Sequence, residues 1–472
     1  MAEVEGHGRP PSRVFLGFLI ALSLLALIFI GLGMHRANRC TLRGDEIVTL
    51  FGNWRGASWS DLALRGAGGQ VSPAPLLYIV DKLADQARVP LKYLGLTPPG
   101  YVRLPSLLFT AGLGFAAALA VARKLRAQDG GGTALQYFFV LCGLATFYFH
   151  LKVFSFACIE RPYGLWNGLW MVLLAWLLGR PPVPRVPMIL LTLMAATATA
   201  ACFQILAVGI ALVVVRRMEH RSAKEILREG ALLLALPAAV GVYYAIRSQD
   251  AAVEDRRYDE VAPHFLRFWM LTNWHVWIAG GTISALALTR PKLRDLAIPP
   301  VAVTVLLLLM PLMFTLAHQR GYAMVSRQYI WTTTALPLAF FFTAVAWPEL
   351  RPPRVVRPLA IATSLLIVGG NIIATFTRPA LRHDSRELAM LDSKSPLMIM
   401  LRSERPRSFA VSTALGDIEE KNLELIGEWI RIRYGHLPAN RGIVWVREEE
   451  GRLEATPGPF QHSFMMAIPL DR

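Results

Sequence analysis

The sequence predicts an all-α polytopic membrane protein, with about eleven transmembrane helices and a small α+β domain at its C-terminal end. Two observations predict this class. Of the 472 residues, 54% are hydrophobic and only 17% are charged, whereas a soluble domain carries about 25% charged residues. The apolar residues also lie in long unbroken blocks, and a block of about 18 or more is typical of a membrane-spanning helix.

The first apolar block, 14–34, is too long for a cleaved signal peptide and lacks a small-residue cleavage site after it. The block 187–215 contains a polar break at Thr197, Thr199 and Gln204, and both of its flanks are basic. We interpret it as two short helices joined by an outer turn, because both flanks then lie on one side of the membrane. The other predicted spans are 101–121, 134–151, 164–178, 230–246, 267–288, 297–317, 328–347 and 359–376.

Lys and Arg are distributed unequally between the two sets of connecting segments. If the N-terminus is inside, the short inner segments hold 18 basic residues and the short outer segments hold 8. Cytoplasmic segments are enriched in Lys and Arg, so this bias predicts that orientation, and an odd number of spans places the C-terminal region outside. The net charge of +16 then reflects membrane orientation, and we expect no nucleic-acid partner.

Two segments outside the spans are long enough to carry function. The first outer loop, 35–100, belongs to a transmembrane domain that covers 1–376, and the tail, 377–472, follows it on the same outer face. Within the tail, 409–412 and 443–447 have the pattern of strands, and the Glu450-Gly451 step could close a hairpin. The segment 418–434 has the apolar spacing of an amphipathic helix.

Charged residues cluster where the first outer loop leaves the first span. Asp45 and Glu46 are adjacent there. Carboxylates at a membrane edge are suited to general-base catalysis or to metal binding. A solvated carboxylate pair is the simpler interpretation of these two residues taken alone.

Two further groups of residues lie at the predicted outer mouths of spans. Arg103 opens the second span, and an Arg guanidinium binds phosphate with a planar fork of donors. Glu160 and Arg161 lie between the third and fourth spans, a depth at which charges are usually paired or functional. Taken alone, Arg103 is as readily an interfacial anchor, and Glu160 and Arg161 could neutralise each other.

The order of these groups resembles a known family. Asp45-Glu46, the Pro73-Ala74-Pro75 start of an amphipathic stretch, Arg103-Leu104-Pro105-Ser106 and Arg161-Pro162-Tyr163 follow one another as in the GT-C glycosyltransferases. The resemblance is to the branch of glycosyltransferase family 39, the protein O-mannosyltransferases and aminoarabinose transferases. It covers about the first 180 residues and extends loosely to Ser326-Arg327-Gln328-Tyr329, while the tail shows no match.

The resemblance implies an inverting transfer, on the outer face of the membrane, of a sugar from a polyprenyl-phosphate donor to an acceptor hydroxyl or phosphate. It implies that Asp45 is the general base, supported by Glu46, and that Arg103 binds the donor phosphate. Residues implied to border the sugar or lipid phosphate are Glu160, Arg161, Tyr163, Arg327 and Tyr329.

The binding partners and the cellular location are also predicted. The implied partners are a lipid-linked sugar donor, the membrane itself, and a glycan, lipid or protein acceptor. The implied location is the bacterial inner membrane, with the active site on the outer, periplasmic side. Asp45 and Glu46 would also be the ligands of a divalent cation, although the sequence requires none.

Two other classes of protein remain open at this point. A transporter or flippase of lipid-linked sugars usually places ionisable residues near mid-membrane and shows an inverted repeat, neither of which the sequence displays. A glycan ligase or polymerase uses the same lipid substrate, but its long outer loop comes late in the chain. No phosphate-binding glycine loop or Rossmann pattern is present.

Overall fold

The structure of the protein is a computed structural model, which describes the helical residues 12–39, 58–65, 75–86, 98–128, 131–159, 161–179, 184–247, 273–319, 326–350 and 352–377. It also describes the strand residues 42–43, 408–413, 444–449, 452–456 and 464–469. Statements below about what is absent refer to these residues. The described part of the chain is a bundle of α-helices with one small β-sheet.

The elements follow the chain in this order. The helices that precede the longest connection are α1 (Arg13–Arg39), α2 (Trp59–Arg65), α3 (Leu76–Gln86), α4 (Pro98–Ala127), α5 (Ala134–Tyr148), α6 (Leu151–Ala157), α7 (Tyr163–Leu177), α8 (Arg185–Ala195), α9 (Ala201–Met218) and α10 (Ala223–Arg247). After it come α11 (Trp274–Thr289), a 3-10 helix (Pro291–Leu296), α12 (Ile298–Gln319), a second 3-10 helix (Ser326–Thr334), α13 (Ala335–Leu350) and α14 (Val356–Thr377).

The chain is an integral membrane protein. Six of the described helices are long and apolar enough to cross a membrane, and the number is seven if α5 and α6, which meet at a bend of 62°, form one broken span. A helix lies at each of the predicted spans. Several of them, including α7 and α8, are shorter than a full membrane crossing, so the count of eleven spans stays a prediction.

The predicted break inside 187–215 is present. Helix α8 ends at Ala195, a turn follows, and α9 begins at Ala201. The hydroxyl of Thr197 donates to the carbonyl of Leu193, at 2.6 Å, so this side chain satisfies a helix-end carbonyl that the break leaves without a backbone partner. The break therefore has a local cause in the polar residues that predicted it.

Helix α7 packs closely against α4 because it carries glycine at two positions one turn apart. A Cβ atom built on Gly168 would lie 2.8 Å from Cδ1 and 2.9 Å from Cβ of Leu113, and one built on Gly164 would overlap the hydroxyl of Thr110. Two small residues four apart let helix backbones approach closely inside a membrane. The α4–α7 contact fixes where the first turn of α7 lies.

One end of the bundle, which we call the mouth end, collects the segments that the topology assigns to the outer side. Helix α1 ends there, and α4 and α7 begin there. The backbone N–H of Leu76, at the start of α3, donates to the carbonyl of Ala196 in the α8–α9 turn, at 2.9 Å. The hydroxyl of Tyr244 near the end of α10 donates to the carbonyl of Ala63 in α2, at 2.7 Å.

The opposite end, which we call the basic end, collects the segments assigned to the inner side. The Lys124 ammonium near the end of α4 donates to the carbonyls of Ala175 (3.0 Å), Trp176 (2.6 Å) and Leu178, and so caps the C-terminus of α7. The guanidinium of Arg294 donates to the carbonyl of Met218 at the end of α9, at 3.3 Å. The structure thus sorts the connecting segments into the two sets that the charge bias predicted.

Five strands form one sheet in the order β1-β2-β5-β3-β4, where β1 is Leu42–Arg43, β2 is Ser408–Thr413, β3 is Val444–Glu449, β4 is Arg452–Thr456 and β5 is Phe464–Pro469. Strands β3 and β4 pair antiparallel, from Trp445 with Thr456 to Glu449 with Arg452. The predicted hairpin step, Glu450-Gly451, lies outside the described residues. Strand β1, from the first loop, pairs in parallel with β2 of the tail. The predicted tail helix, 418–434, lies outside the described residues, so the α+β fold and the domain boundary after 376 stay predictions.

The α4–α7 packing gives a first testable prediction. Replacing Gly168 by Ala places a methyl group against the Leu113 side chain close to its backbone, and overpacking of this kind costs about 1–3 kcal/mol. We expect Gly168→Ala to lower the midpoint of thermal unfolding in detergent. Gly112→Ala is the matched control, because a Cβ there meets nothing within 4 Å and alanine has the higher helix propensity. An equal midpoint for the two variants would contradict the packing argument.

Candidate active site at the mouth end

Arg103 is one of the largest fully buried side chains, with 1% of its surface exposed. It lies in the first turns of α4, and its Nη1 donates to the carbonyl of Ala37 in the last turn of α1, at 3.2 Å. A cation at this position stabilises the C-terminal end of a helix, where backbone carbonyls lack partners. Arg103 therefore fixes the end of α1 next to the start of α4.

Arg161 lies beside the same stretch of α4. It is 3% exposed, it precedes α7 by two residues, and its backbone carbonyl accepts a hydrogen bond from the Ser106 hydroxyl, at 3.4 Å. Ser106 follows Arg103 by three residues, so the two share one face of α4 about 5–6 Å apart. The close packing of α7 on α4 therefore brings two buried arginine residues to the mouth end, with the backbone of Arg161 one turn of α4 away from Arg103.

The second 3-10 helix is attached to the first turns of α7. The Asn167 side-chain amide donates to the Thr333 hydroxyl at 3.1 Å, and the Trp166 indole donates to Gln204 of α9 at 2.6 Å. Tyr329, near the start of the same 3-10 helix, is fully buried. These hydrogen bonds join α7, α9 and the 3-10 helix at the first turns of α7, which follow Arg161 in the chain.

The first outer loop contributes two short helices that lie on the mouth end. Helix α3 packs against α4, and Leu77, Tyr78 and Asp81 form its buried face. The Lys82 ammonium lies over the Trp59 ring of α2, 5.3 Å from its centroid. Helix α3 therefore lies beside α4, the helix that carries Arg103.

Asp81 is a residue that the sequence analysis missed. We interpreted its segment as an amphipathic helix that ends in charge, yet Asp81 is only 4% exposed. The helical spacing could have found it, because Asp81 follows Leu77 by four residues and therefore shares its face. A carboxylate on the buried face of an interfacial helix needs polar or charged neighbours, which makes Asp81 part of the candidate site.

The structure places the predicted site residues unequally. It buries Arg103 and Arg161 beside the first turns of α4 and α7, and it buries Tyr329 in the 3-10 helix that bonds α7 through Thr333. Tyr163 begins α7 and is half-buried, with its ring 5.1 Å from that of Phe156. The residues Asp45, Glu46 and Glu160 lie outside the described residues, and Arg327 lies in the 3-10 helix with a side chain that is not described.

Among the described residues, no group of three His, Cys, Asp or Glu side chains is placed to hold a metal ion. The predicted candidates for a divalent cation, Asp45 and Glu46, are not among those residues. The mouth end carries two buried arginines, Arg103 and Arg161. Phosphate is an anion that a pair of guanidinium groups binds well.

Comparisons with known proteins find structural likeness only. No family model and no curated protein matches the chain. ArnT from Cupriavidus metallidurans bound to undecaprenyl phosphate is 12% identical, with a TM-score of 0.42 over 96% of this chain and 98% of that one. The archaeal oligosaccharyltransferase AglB from Archaeoglobus fulgidus, in complex with an inhibitory peptide and a dolichol-phosphate, is 11% identical, with a TM-score of 0.41 over 93% and 74%.

At such identities and TM-scores, a likeness carries no conclusion about activity. What the chain can do must follow from its own residues. Those residues are two buried arginines beside the exit of α1, a buried aspartate on α3, and a 3-10 helix held against α7.

The attachment of the 3-10 helix gives a second prediction. Thr333→Val removes the hydroxyl that accepts from Asn167 and leaves a buried amide without that partner, at a cost of about 1–3 kcal/mol. We expect a lower midpoint of thermal unfolding. Thr343→Val in α13 is the control, since both hydroxyls donate to a carbonyl of their own helix and only Thr333 also bonds another helix. Equal losses in the two variants would show that the Asn167 contact contributes nothing.

Proposed function

We propose that the protein is a membrane glycosyltransferase that moves a sugar from a polyprenyl-phosphate donor to an acceptor hydroxyl or phosphate at the mouth end. The observation that carries the proposal is the burial of Arg103 and Arg161 around one region of α4 and α7. A phosphate group at the end of a membrane lipid carries the charge and geometry that two such guanidinium groups bind.

The position of Arg103 connects the phosphate region to the proposed base. Its hydrogen bond to Ala37 holds the end of α1, and Asp45 follows Arg39, the last residue of α1, by six residues in the chain. Strand β1, which pairs with the tail strand β2, ends two residues before Asp45. The chain is thus held at Ala37 and at β1, shortly before the proposed base, which supports a role for Asp45 at this end.

The proposed reaction is a single displacement at the anomeric carbon of the sugar. The acceptor oxygen attacks this carbon while its proton passes to the Asp45 carboxylate, and the bond between the anomeric carbon and the phosphate oxygen breaks. The electron pair of that bond leaves with the polyprenyl phosphate. Arg103 and Arg161 stabilise the developing negative charge, which is the usual way in which fixed cations lower the barrier of such a transfer.

The remaining predicted residues take supporting roles in this proposal. Glu46 orients the acceptor or the base, Glu160 and Tyr163 border the sugar, and Arg327 and Tyr329 lie on the side of the lipid phosphate. Tyr329 is buried beside α7, which supports its place near Arg161. The acceptor is a glycan, a lipid or a protein, and the mouth end faces the outer, periplasmic side of a bacterial inner membrane.

A transporter or flippase of lipid-linked sugars is the alternative proposal. It would carry its substrate across the membrane and leave the sugar–phosphate bond intact. Net transfer of sugar to an acceptor by the purified protein distinguishes the two functions, because only the glycosyltransferase releases free polyprenyl phosphate.

The third prediction concerns the base. Asp45→Asn keeps the size of the side chain but removes its ability to accept a proton, so we expect transfer from undecaprenyl-phosphate hexoses to fall by about 10²–10⁴-fold. The assay measures release of undecaprenyl phosphate by the protein in lipid nanodiscs. Asp295→Asn, in the 3-10 helix next to the basic end, is the control and keeps full activity. Undiminished release by Asp45→Asn would exclude Asp45 as the base.

The fourth prediction concerns the phosphate. Arg161→Gln removes one of the two buried cations, and a hydrogen bond to a charged group contributes about 1.5–3 kcal/mol. We therefore expect about a tenfold or larger loss in affinity for undecaprenyl phosphate, measured in nanodiscs with the radiolabelled lipid. Arg123→Gln at the basic end makes the same change of charge and leaves the affinity unchanged. If both variants bind the lipid as the parent does, Arg161 has no role in phosphate binding.

A fifth prediction tests the sides of the membrane. With the mouth end outside, a cysteine introduced at Ser58, which is exposed, is labelled in intact cells by a membrane-impermeant maleimide. A cysteine introduced at Arg221, at the basic end, is labelled only after the cells are permeabilised. The reverse pattern would contradict the proposed orientation.

A further inference from the structure

A groove along α9 and α10 extends from Cys202 and Val242, toward the mouth end, to Arg217 at the basic end. It runs between α9 and α10, has a cavity volume of about 800 Å³, and is lined almost entirely by apolar side chains. The residues at its lipid-facing edges include Leu206, Val213 and Leu227, whose side chains are 47%, 47% and 75% exposed. Its volume is that of a pocket for a small organic ligand, and its lining suits a hydrocarbon chain.

One cation stands at the end of this groove. Arg217 is the charged residue of the lining and is exposed, and its guanidinium forms no ion pair with the residues that the structure describes. Its neighbour Arg216 differs, because Glu229 holds it through two hydrogen bonds of 2.7 and 2.9 Å and Glu219 through one of 2.9 Å. The charge of Arg216 is therefore neutralised by the protein, whereas that of Arg217 is available to a ligand.

The Arg217 end of the groove is far from the proposed donor phosphate site. Gln204, which bonds Trp166 in the first turn of α7, lies on α9 near the mouth end. Arg217 follows it by thirteen residues on the same helix, which corresponds to about 20 Å along the axis. A lipid whose phosphate is bound by Arg217 therefore belongs to the leaflet at the basic end, opposite Arg103 and Arg161.

We propose that the groove between α9 and α10 binds an anionic phospholipid of the leaflet at the basic end, with one acyl chain between the helices and its phosphate on Arg217. Charge complementarity selects this occupant. Around Arg217 the same short segment carries the exposed basic residues Lys224 and Arg228, together with Arg221, which pairs with Glu225 at 3.7 Å. Basic clusters attract anionic lipid surfaces. The apolar groove adds a fixed position for the chain that a purely electrostatic attraction lacks.

The test measures phosphatidylglycerol bound to the full-length protein by native mass spectrometry, with phosphatidylethanolamine as the zwitterionic comparison. We expect Arg217→Gln to weaken phosphatidylglycerol binding about fivefold, as expected for one basic residue near a membrane surface. Arg228→Gln, which makes the same change of charge on an exposed residue outside the groove, weakens it by less than twofold. Equal effects of the two variants would overturn the proposal in favour of a diffuse attraction.

A second pair of variants tests the acyl-chain part independently of charge. Ala231 lines the groove and Ala239 does not, although both are exposed residues of α10. Ala231→Phe fills the groove and is expected to abolish selective retention of phosphatidylglycerol, while Ala239→Phe preserves it. Retention of phosphatidylethanolamine as strong as that of phosphatidylglycerol would overturn the proposal. Displacement of the bound lipid by undecaprenyl phosphate would overturn it too, by assigning the groove to the donor.

Discussion

The close approach of α7 to α4 determines the geometry of the whole mouth end. Gly164 and Gly168 contribute no side chain to the contact, so α4 side chains such as Leu113 and Thr110 pack against the backbone of α7. The carbonyl of Arg161 therefore reaches the hydroxyl of Ser106. Arg103 lies one turn away from Ser106 and also holds the end of α1. A single helix contact therefore positions both buried arginines and the point where the first outer loop leaves the bundle. In a membrane, where lipid is as apolar as the side chains, such close packing must replace the hydrophobic driving force.

Two arginines in a water-excluded region are costly unless an anion compensates them. At the basic end, cations are compensated by the protein itself: Lys124 caps α7 through three carbonyls, and Arg216 is held by two glutamates. In the proposed reaction, Arg103 and Arg161 at the mouth end bind a ligand whose negative charge increases during the transfer.

Much of the fold could be predicted from the sequence because its signals are local. A helix lies at every span that the apolar blocks predict. The polar residue Thr197 predicted the turn between α8 and α9. The sorting of loops into two ends followed from basic residues alone. The bend between α5 and α6 was not predicted, because the block 134–151 is uniformly apolar and only His150, which accepts from the backbone of Lys152, marks the start of the second piece.

The candidate site was harder to predict, because its residues meet through contacts distant in sequence. The sequence predicted Arg103 and Arg161 as two separate candidates. The residues that flank them do not predict that α4 and α7 pack together and bury both. Asp81 was missed for a different reason. Its spacing predicts a place on the apolar face of α3, but Asp81 was grouped with the charged residue that follows it and was therefore interpreted as exposed. Burying a carboxylate on a helical face at membrane depth costs free energy, and such residues usually have a functional role. Asp81 is therefore, after Asp45, the acidic residue whose interactions would tell most about the chemistry of the mouth end.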